Sequence, residues 1–148
     1  MAINTTRILQ FYQHFGKFYT QQFSHLTEES GLSVRELHVL LFLANNPGYD
    51  TARDITSARG ISKSQVSQAV DLLWAEGLLE RTPDSADRRV VHLSITEEGQ
   101  VITQKALAVQ DTCAARLLSG FSPEEAALLM ALVDRVIDNA EILAKEAN

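Results

Sequence analysis

In "SKSQVSQAV", residues 62–70, Val66, Ala69 and Val70 form an apolar side, and Ser62, Ser64, Gln65, Ser67 and Gln68 point away from it. Solvated helix faces ordinarily carry Glu and Lys, which form helices better than Ser does. Short hydroxyls and amides instead match a surface dense in donors and acceptors, and the base edges of a DNA major groove are such a surface. Short side chains let a helix seat deeply, and hydroxyls at a helix N-terminus suit phosphate oxygens. Alone, the stretch also reads as a Ser-rich, solvated helix start. The pair Arg88 and Arg89, further along in a turn-rich segment, tips the reading toward a polyanion.

Other reactive residue types give little. His14, His25, His38 and His92 show no i, i+4 pair and no carboxylate cluster at metal-ligand spacing. Cys113 is the single cysteine, so neither an intrachain disulfide nor an all-cysteine metal site is expected. Such a residue is commonly a small buried apolar group. The chain has no Gly-rich phosphate loop, no G-x-S-x-G elbow and no Cys/His pair, and neither catalysis nor a cofactor is expected.

Periodicity supplies the elements that must position these residues. Ile8, Phe11, Tyr12, Phe15, Phe18, Tyr19, Phe23 and Leu26 recur at three- and four-residue steps, predicting one amphipathic helix over about residues 4–28. Ser33 with Glu36 has the capping-box pattern for a helix carrying Leu37, Leu40, Leu41 and Leu43, stopped by "NNPG". Thr51 caps the short helix "ARDITSA", which Gly60 ends, and Ser62 caps the next, running to about Glu76. In that helix Val66, Val70, Leu73 and Gly77 keep the spacing of a face clamped on a core, with Leu72 and Trp74 flanking it.

Then the period drops to two. "RRVVHLSIT" alternates Val91, Leu93 and Ile95 against His92 and Ser94; with "LLERT" and the turn "PDSAD" it predicts a small β-hairpin. Thr96, Glu97 and Glu98 open a helix to about Leu118. Ser122 and Pro123 open the last one, whose Leu129, Leu132, Val133, Val136, Ala140 and Leu143 share a stripe. Helix, short helix, the turn "RGI", helix and hairpin is the order of a winged helix-turn-helix.

The totals agree with a single domain: 148 residues can bury roughly 70% of the unfolded surface. A net charge of −6 alone argues against a nucleic-acid partner. The charge is uneven, however. Residues 51–92 hold six basic and six acidic side chains, so the whole excess of acid lies outside them, and the middle repels a polyanion least. No apolar run approaches the ~20 residues of a membrane span. The N-terminus "MAINTTRILQFYQHF" does not read as a signal peptide, so a cytoplasmic location without a membrane partner is expected.

Residues 51–99 resemble the winged-helix core of the MarR family of bacterial transcriptional regulators. The resemblance lies in "ISKSQVS" opening the recognition helix, "GLLER" leading into the wing, the D-x-R of Asp87, Arg88 and Arg89, and "LSITEEG" closing it. It implies a mostly α fold with a small β-hairpin wing. Residues 30–95 would be the DNA-binding lobe, and residues 1–29 with 96–148 the helical dimerisation lobe of a single MarR-like domain. It also implies a homodimer on a near-palindromic double-stranded DNA operator, with Arg89 at the wing tip in the minor groove, Asp87 orienting it and Arg88 on a phosphate. The residues expected to meet DNA are Thr51, Arg53, Ser62, Lys63, Ser64, Gln65, Ser67, Gln68, Arg81, Asp87, Arg88 and Arg89. Two positions depart from the family pattern. Gln68 stands where Arg is common, and Arg59 stands where an apolar residue is usual, so its stem covers the core or its head reaches a phosphate.

Family members also bind small aromatic acids or phenols between the dimerisation helices and the winged helix, and so leave DNA. Tyr12, Phe15, Tyr19, His38 and Phe42 are the residues expected to line such a crevice, with His14 and Phe18 joining if the first helix is rotated. Aromatic stripes at helical spacing equally serve as core. Two functions follow. One is a sequence-specific DNA-binding regulator, a repressor released by a small aromatic ligand. The other is a winged-helix module for protein interaction or assembly, without operator-specific regulation. Lys63, Arg88, Arg89 and the uncharged helix face favour the first.

Overall fold

Phe23 interrupts the predicted N-terminal helix. The computed structural model describes residues 4–146, and in it α1 (Thr5–Gln22) ends at Phe23, after which α2 (Ser24–Ser30) begins. One helix over residues 4–28 is therefore corrected to two. The cause is local: the Phe23 N–H bonds the Thr20 carbonyl at 3.2 Å, tightening the turn, and the Ser24 hydroxyl donates to the Gln21 carbonyl at 2.9 Å. Such back-bonding competes with the helix ladder and bends it. The Phe23 side chain is completely buried, which anchors the break.

The remaining elements are α3 (Val34–Asn45), α4 (Ala52–Arg59), α5 (Lys63–Ala75), β1 (Leu79–Pro83), β2 (Val91–Ile95), α6 (Glu97–Leu117) and α7 (Pro123–Glu146). Reciprocal capping boxes open three of them: Ser33 with Glu36 for α3, Thr51 with Asp54 for α4, and Ser62 with Gln65 for α5. Gly60 ends α4 in the left-handed region at φ 61°, which a residue with a Cβ adopts only at a cost, and so makes the tight turn into α5. At the far end of α5, Gly77 donates to the Trp74 carbonyl at 3.0 Å and Leu78 to the Leu73 carbonyl at 2.8 Å. This is a Schellman closure, with Leu73 and Leu78 both buried beneath it.

β1 and β2 pair antiparallel in the register Leu79 with Ile95, Arg81 with Leu93, Thr82 with His92 and Pro83 with Val91. Leu79 and Leu93 are buried, as the two-residue period requires, but Val91 is exposed where the hairpin leaves the core. The expected apolar face of β2 thus shortens to Leu93 and Ile95. A bridge from Thr51 to His92 and a bond from the Leu93 N–H to the Asp50 carbonyl at 2.8 Å tie β2 to the entrance of α4.

Two compact units divide the chain, Met1–Asp111 and Thr112–Asn148. The core of the first gathers Leu37, Leu40 and Leu41 of α3, Ile55 of α4, Val66 and Leu73 of α5, and Leu79 and Leu93 of the hairpin. In the second, α7 buries no residue, and Leu128, Met130, Leu132, Val136, Ile137, Ile142 and Leu143 are exposed along it. Among the described residues, no helix is long and apolar enough to cross a membrane.

Candidate nucleic-acid interface

The candidate recognition face lies on α5. Val66, Ala69, Val70 and Leu73 are buried on one side, which fixes the helix's rotation and turns Ser64, Gln65, Ser67 and Gln68 outward. Ser62 is exposed and accepts the Gln65 N–H at 3.3 Å, while Gln65 Oε1 accepts the Ser62 N–H at 3.4 Å. Gln65 is therefore partly committed to the cap, and Gln68 is the less encumbered amide. Lys63, in the first turn, is exposed. Thr51 is half-buried, its hydroxyl donating to Asp54 Oδ2 at 2.7 Å and accepting the Asp54 N–H at 3.2 Å; Arg53, in the first turn of α4, is exposed.

Arg89 sits at the wing turn, held by Asp87. Arg89 Nε donates to Asp87 Oδ1 at 3.0 Å, Nη2 to Oδ2 at 3.2 Å, and the Arg89 N–H to Oδ1 at 3.1 Å. The Arg89 side chain is nevertheless 92% exposed. The guanidinium hydrogen bond, then the backbone one, holds the Asp87 carboxyl below the usual range, so the pair stays charged. Arg88 beside it is exposed.

Two arginines turn elsewhere. Arg81 pairs with Asp71 and lies 5.0 Å above the Trp74 ring, so it braces the wing's root against the end of α5 and is not gathered with Arg89. Arg59 points inward, its Nη2 donating to the His38 carbonyl at 3.5 Å, so of its two expected placements it takes the one over the core.

His92, Asp50 and Asp84 were not singled out by the sequence as a group. His92 Nδ1 lies 2.7 Å from Asp50 Oδ1, and Nε2 lies 3.0 Å from Asp84 Oδ2. Asp84 Oδ1 also accepts the Ala86 and Asp87 N–H groups, both at 2.8 Å. The Asp87 N–H first, then His92, lowers the Asp84 carboxyl to about 2. The one sequence signal was a histidine on the polar side of a strand that follows an Asp-rich turn.

A second cluster joins α1 to α3. Phe11, Phe15 and Tyr19 stack in sequence with centroids 5.8 and 5.5 Å apart, Phe23 lies tilted 5.0 Å from Tyr19, and His38 lies 5.6 Å from Tyr19 and 6.0 Å from Phe23. Tyr19 Oη accepts from Gln110 Nε2 at 2.8 Å, and Gln110 Oε1 accepts from Asn45 Nδ2 at 3.0 Å. His38 Nε2 is buried without a hydrogen-bond partner among the described residues. Burial first, then the nearby Arg59 charge, lowers the imidazole to about 4, so it is neutral near pH 7. Phe15, Tyr19 and His38 thus come together, and Phe42 is buried in the adjoining core. Tyr12 is 75% exposed and stands apart, as does exposed His14. Cys113 is buried, and burial raises its thiol above the usual range against the opposing pull of Arg116, so it is not a thiolate near neutral pH.

A model of the MarR family matches residues 30–90. The HTH-type transcriptional repressor MdtR of Bacillus subtilis (strain 168) is 33% identical over 98 residues, 66% of this chain and 63% of that protein. The match thus spans just under two thirds of that relative. Among solved structures, the transcriptional regulator PA3341 is 26% identical with a TM-score of 0.78, over 94% of this chain and 98% of the other. CouR from Rhodococcus jostii RHA1, bound to p-coumaroyl-CoA, is 24% identical with a TM-score of 0.70, over 97% of this chain and 96% of the other.

Proposed function

We propose that the chain, whose residues 30–90 match a model of the MarR family, is a member of that family and a sequence-specific, double-stranded DNA-binding transcriptional regulator acting as a homodimer in the cytoplasm. The observation that carries this reading is α5. One face is locked into the core, and the other offers uncharged hydrogen-bonding groups beside a wing whose arginine is both gripped and exposed. Hydroxyls and amides at that place suit base edges, and a guanidinium suits the negative potential of a narrow minor groove. Lys63, Arg53 and Arg88 supply phosphate contacts, which fix register without reading sequence. The reading assigns the chain no catalytic step.

Dimerisation follows from apolar surface. Exposed Leu128, Leu132, Val136, Ile137 and Leu143 on α7, and Ile8, Leu9 and Phe11 on α1, exceed what an isolated soluble chain ordinarily shows. A second copy is the proposed cover for each stripe, residues 1–29 and 96–148 serving as the dimerisation lobe and 30–95 as the DNA lobe. Sedimentation at micromolar concentration is expected to give a dimer, and a folded monomer would refute this arrangement.

The sign of regulation is proposed as repression, as in the name of MdtR. The Tyr19 and His38 cluster supports a small aromatic or phenolic effector. A neutral, unpartnered imidazole nitrogen beside aromatic walls suits a phenolic hydroxyl or aromatic acid, and CouR was solved with an aromatic acyl thioester. The first experiment is a gel shift on the intergenic DNA upstream of the chain's own coding sequence, with random DNA as competitor. A retarded complex resisting excess competitor is expected. Its absence across candidate promoters would favour the alternative, a winged helix used for protein interaction or assembly.

A further inference from the structure

We propose that His92 is a positioning residue of the wing, a charged strut that ties the wing turn to the entrance of α4 and so sets where Arg89 is presented; this rests on the reading that the wing meets DNA. The geometry is a bridge. Nδ1 faces Asp50 Oδ1 at 2.7 Å, and Nε2 faces Asp84 Oδ2 at 3.0 Å. Ionised carboxylates only accept, and a neutral imidazole has one N–H. A neutral ring would set its lone pair against an oxygen at one of these two distances, so both bonds are made only by the imidazolium.

Each end of the bridge touches an element that faces DNA. Asp50 immediately precedes Thr51, the N-cap of α4, and its carbonyl accepts the Leu93 N–H at 2.8 Å. Asp84 accepts the N–H groups of Ala86 and Asp87 and thereby shapes the turn that carries Asp87, which in turn grips Arg89. One proton on His92 therefore supports a chain of contacts from the first helix of the helix-turn-helix to the wing tip. The charged groups facing the ring are Asp50, ahead of α4, and Asp84, in the wing turn; β1 sets uncharged Thr82 opposite it.

The imidazole's basicity agrees with this geometry. The hydrogen bond to Asp50 first, then that to Asp84, raises it above the ordinary histidine value, against a smaller opposing effect of burial. With 38% of the side chain exposed, the ring exchanges protons with solvent directly. The raised value makes the strut fully formed below an ordinary histidine pKa and lost as pH rises through the folded one. Wing order, and DNA affinity with it, is therefore highest on the acid side of that transition.

The test uses the full chain. NMR titration of the His92 ring should place its pKa above that of a free histidine, and Asp50→Asn and Asp84→Asn should each bring it down. Affinity for the upstream intergenic DNA should fall roughly 3- to 10-fold between pH 6 and 8.5 in the wild type. His92→Gln, with melting and circular dichroism confirming its fold, should hold the weak high-pH affinity throughout, while Asp50→Asn should move the midpoint to lower pH. If His92 titrates at or below the free value, or His92→Gln keeps the wild-type pH dependence, the strut is refuted. If instead Arg89→Ala binds like wild type, the DNA reading of the wing has failed. In that case the ring titration and amide exchange at Ala86 and Asp87 decide the strut alone: protection relative to the intrinsic base-catalysed rate that is greater at low pH, and lost in His92→Gln, supports it, and protection indifferent to His92 refutes it.

Discussion

Asp87 holds Arg89 by three hydrogen bonds at 3.0, 3.1 and 3.2 Å, two from the guanidinium and one from the backbone, yet leaves that side chain almost wholly in solvent. A fork so held has lost rotamer freedom before it meets anything, which lowers the entropy cost of contact. Its charge is not consumed, because the partner carboxylate is only half-buried and water screens the pair.

Arg89→Ala is therefore expected to weaken binding to most operators alike and to reduce the salt slope by about one phosphate equivalent. Asp87→Ala should reproduce only part of the loss, since it frees the arginine without removing it. Fluorescence anisotropy over a salt series measures both, and an Arg89→Ala variant with unchanged affinity and slope would show that the wing does not meet DNA.

The two glutamines of α5 should part company. Gln65 shares in the cap through Oε1, so Gln65→Ala should lower thermal stability by about 0.5–1 kcal/mol as well as disturb binding. Gln68 has its whole amide outward, and Gln68→Ala should relax preference at one or two positions of each half-site by roughly 1–3 kcal/mol, with stability unchanged. Selection from random DNA reads the preference. A wild-type logo from Gln68→Ala would remove that residue from the reading surface.

How far the sequence reaches can be judged element by element. Helix starts were legible because caps are local patterns: the box of Ser33 with Glu36 formed as its spacing implied, and Ser62 caps α5 as expected, with Gln65 closing a box there that was not read beforehand. The wing was legible from its period. The break at Phe23 was not, because a helical period continues across it and only the burial of that ring and the Ser24 back-bond interrupt the ladder. At the interface, the faces of α5 followed from the apolar spacing, and the Asp87 and Arg89 pair from a resemblance. The inward turn of Arg59 and the Arg81 contacts with Asp71 and Trp74 are tertiary, and no spacing encodes them. His92 meets Asp50 across 42 positions of chain, a separation at which pattern carries no information.

His38 gives a pH dependence opposite in sign to that of His92. Its imidazole is lowered to about 4 in the fold, so the unfolded chain binds a proton that the native chain refuses as pH falls below the ordinary value of 6.5. Stability is thus lost between about pH 6.5 and 4, by at most ~3 kcal/mol from this group, less what solvent screening takes from a ring that is only partly buried. His38→Gln should flatten that part of the profile relative to wild type in urea unfolding at matched protein concentration. Parallel profiles through the window would mean that His38 protonates in the native chain.

Gly99 offers the sharpest test of the hairpin's attachment to α6. A Cβ there would lie 2.2 Å from the Leu78 carbonyl oxygen and 2.8 Å from Ile95 Cγ2, and a backbone oxygen cannot step aside as a flexible side chain can. That same oxygen accepts the Thr96 N–H at 3.1 Å. The Thr96 hydroxyl donates to the Gly77 carbonyl at 2.7 Å and accepts the Gly99 N–H at 3.0 Å. Moving α6 outward together with Thr96 to admit a methyl group would stretch the two bonds that Thr96 makes to the Leu78 and Gly77 carbonyls. Gly99→Ala is therefore expected to cost at least ~2 kcal/mol, within the range for overpacked sites, although Ala is the better helix former. Thr96→Val removes the hydroxyl without adding bulk at the contact and should cost less, about 1 kcal/mol. Urea midpoints at one protein concentration rank the two. If Gly99→Ala unfolds at the wild-type midpoint, the first turn of α6 does not lie against the end of α5 and the start of β1.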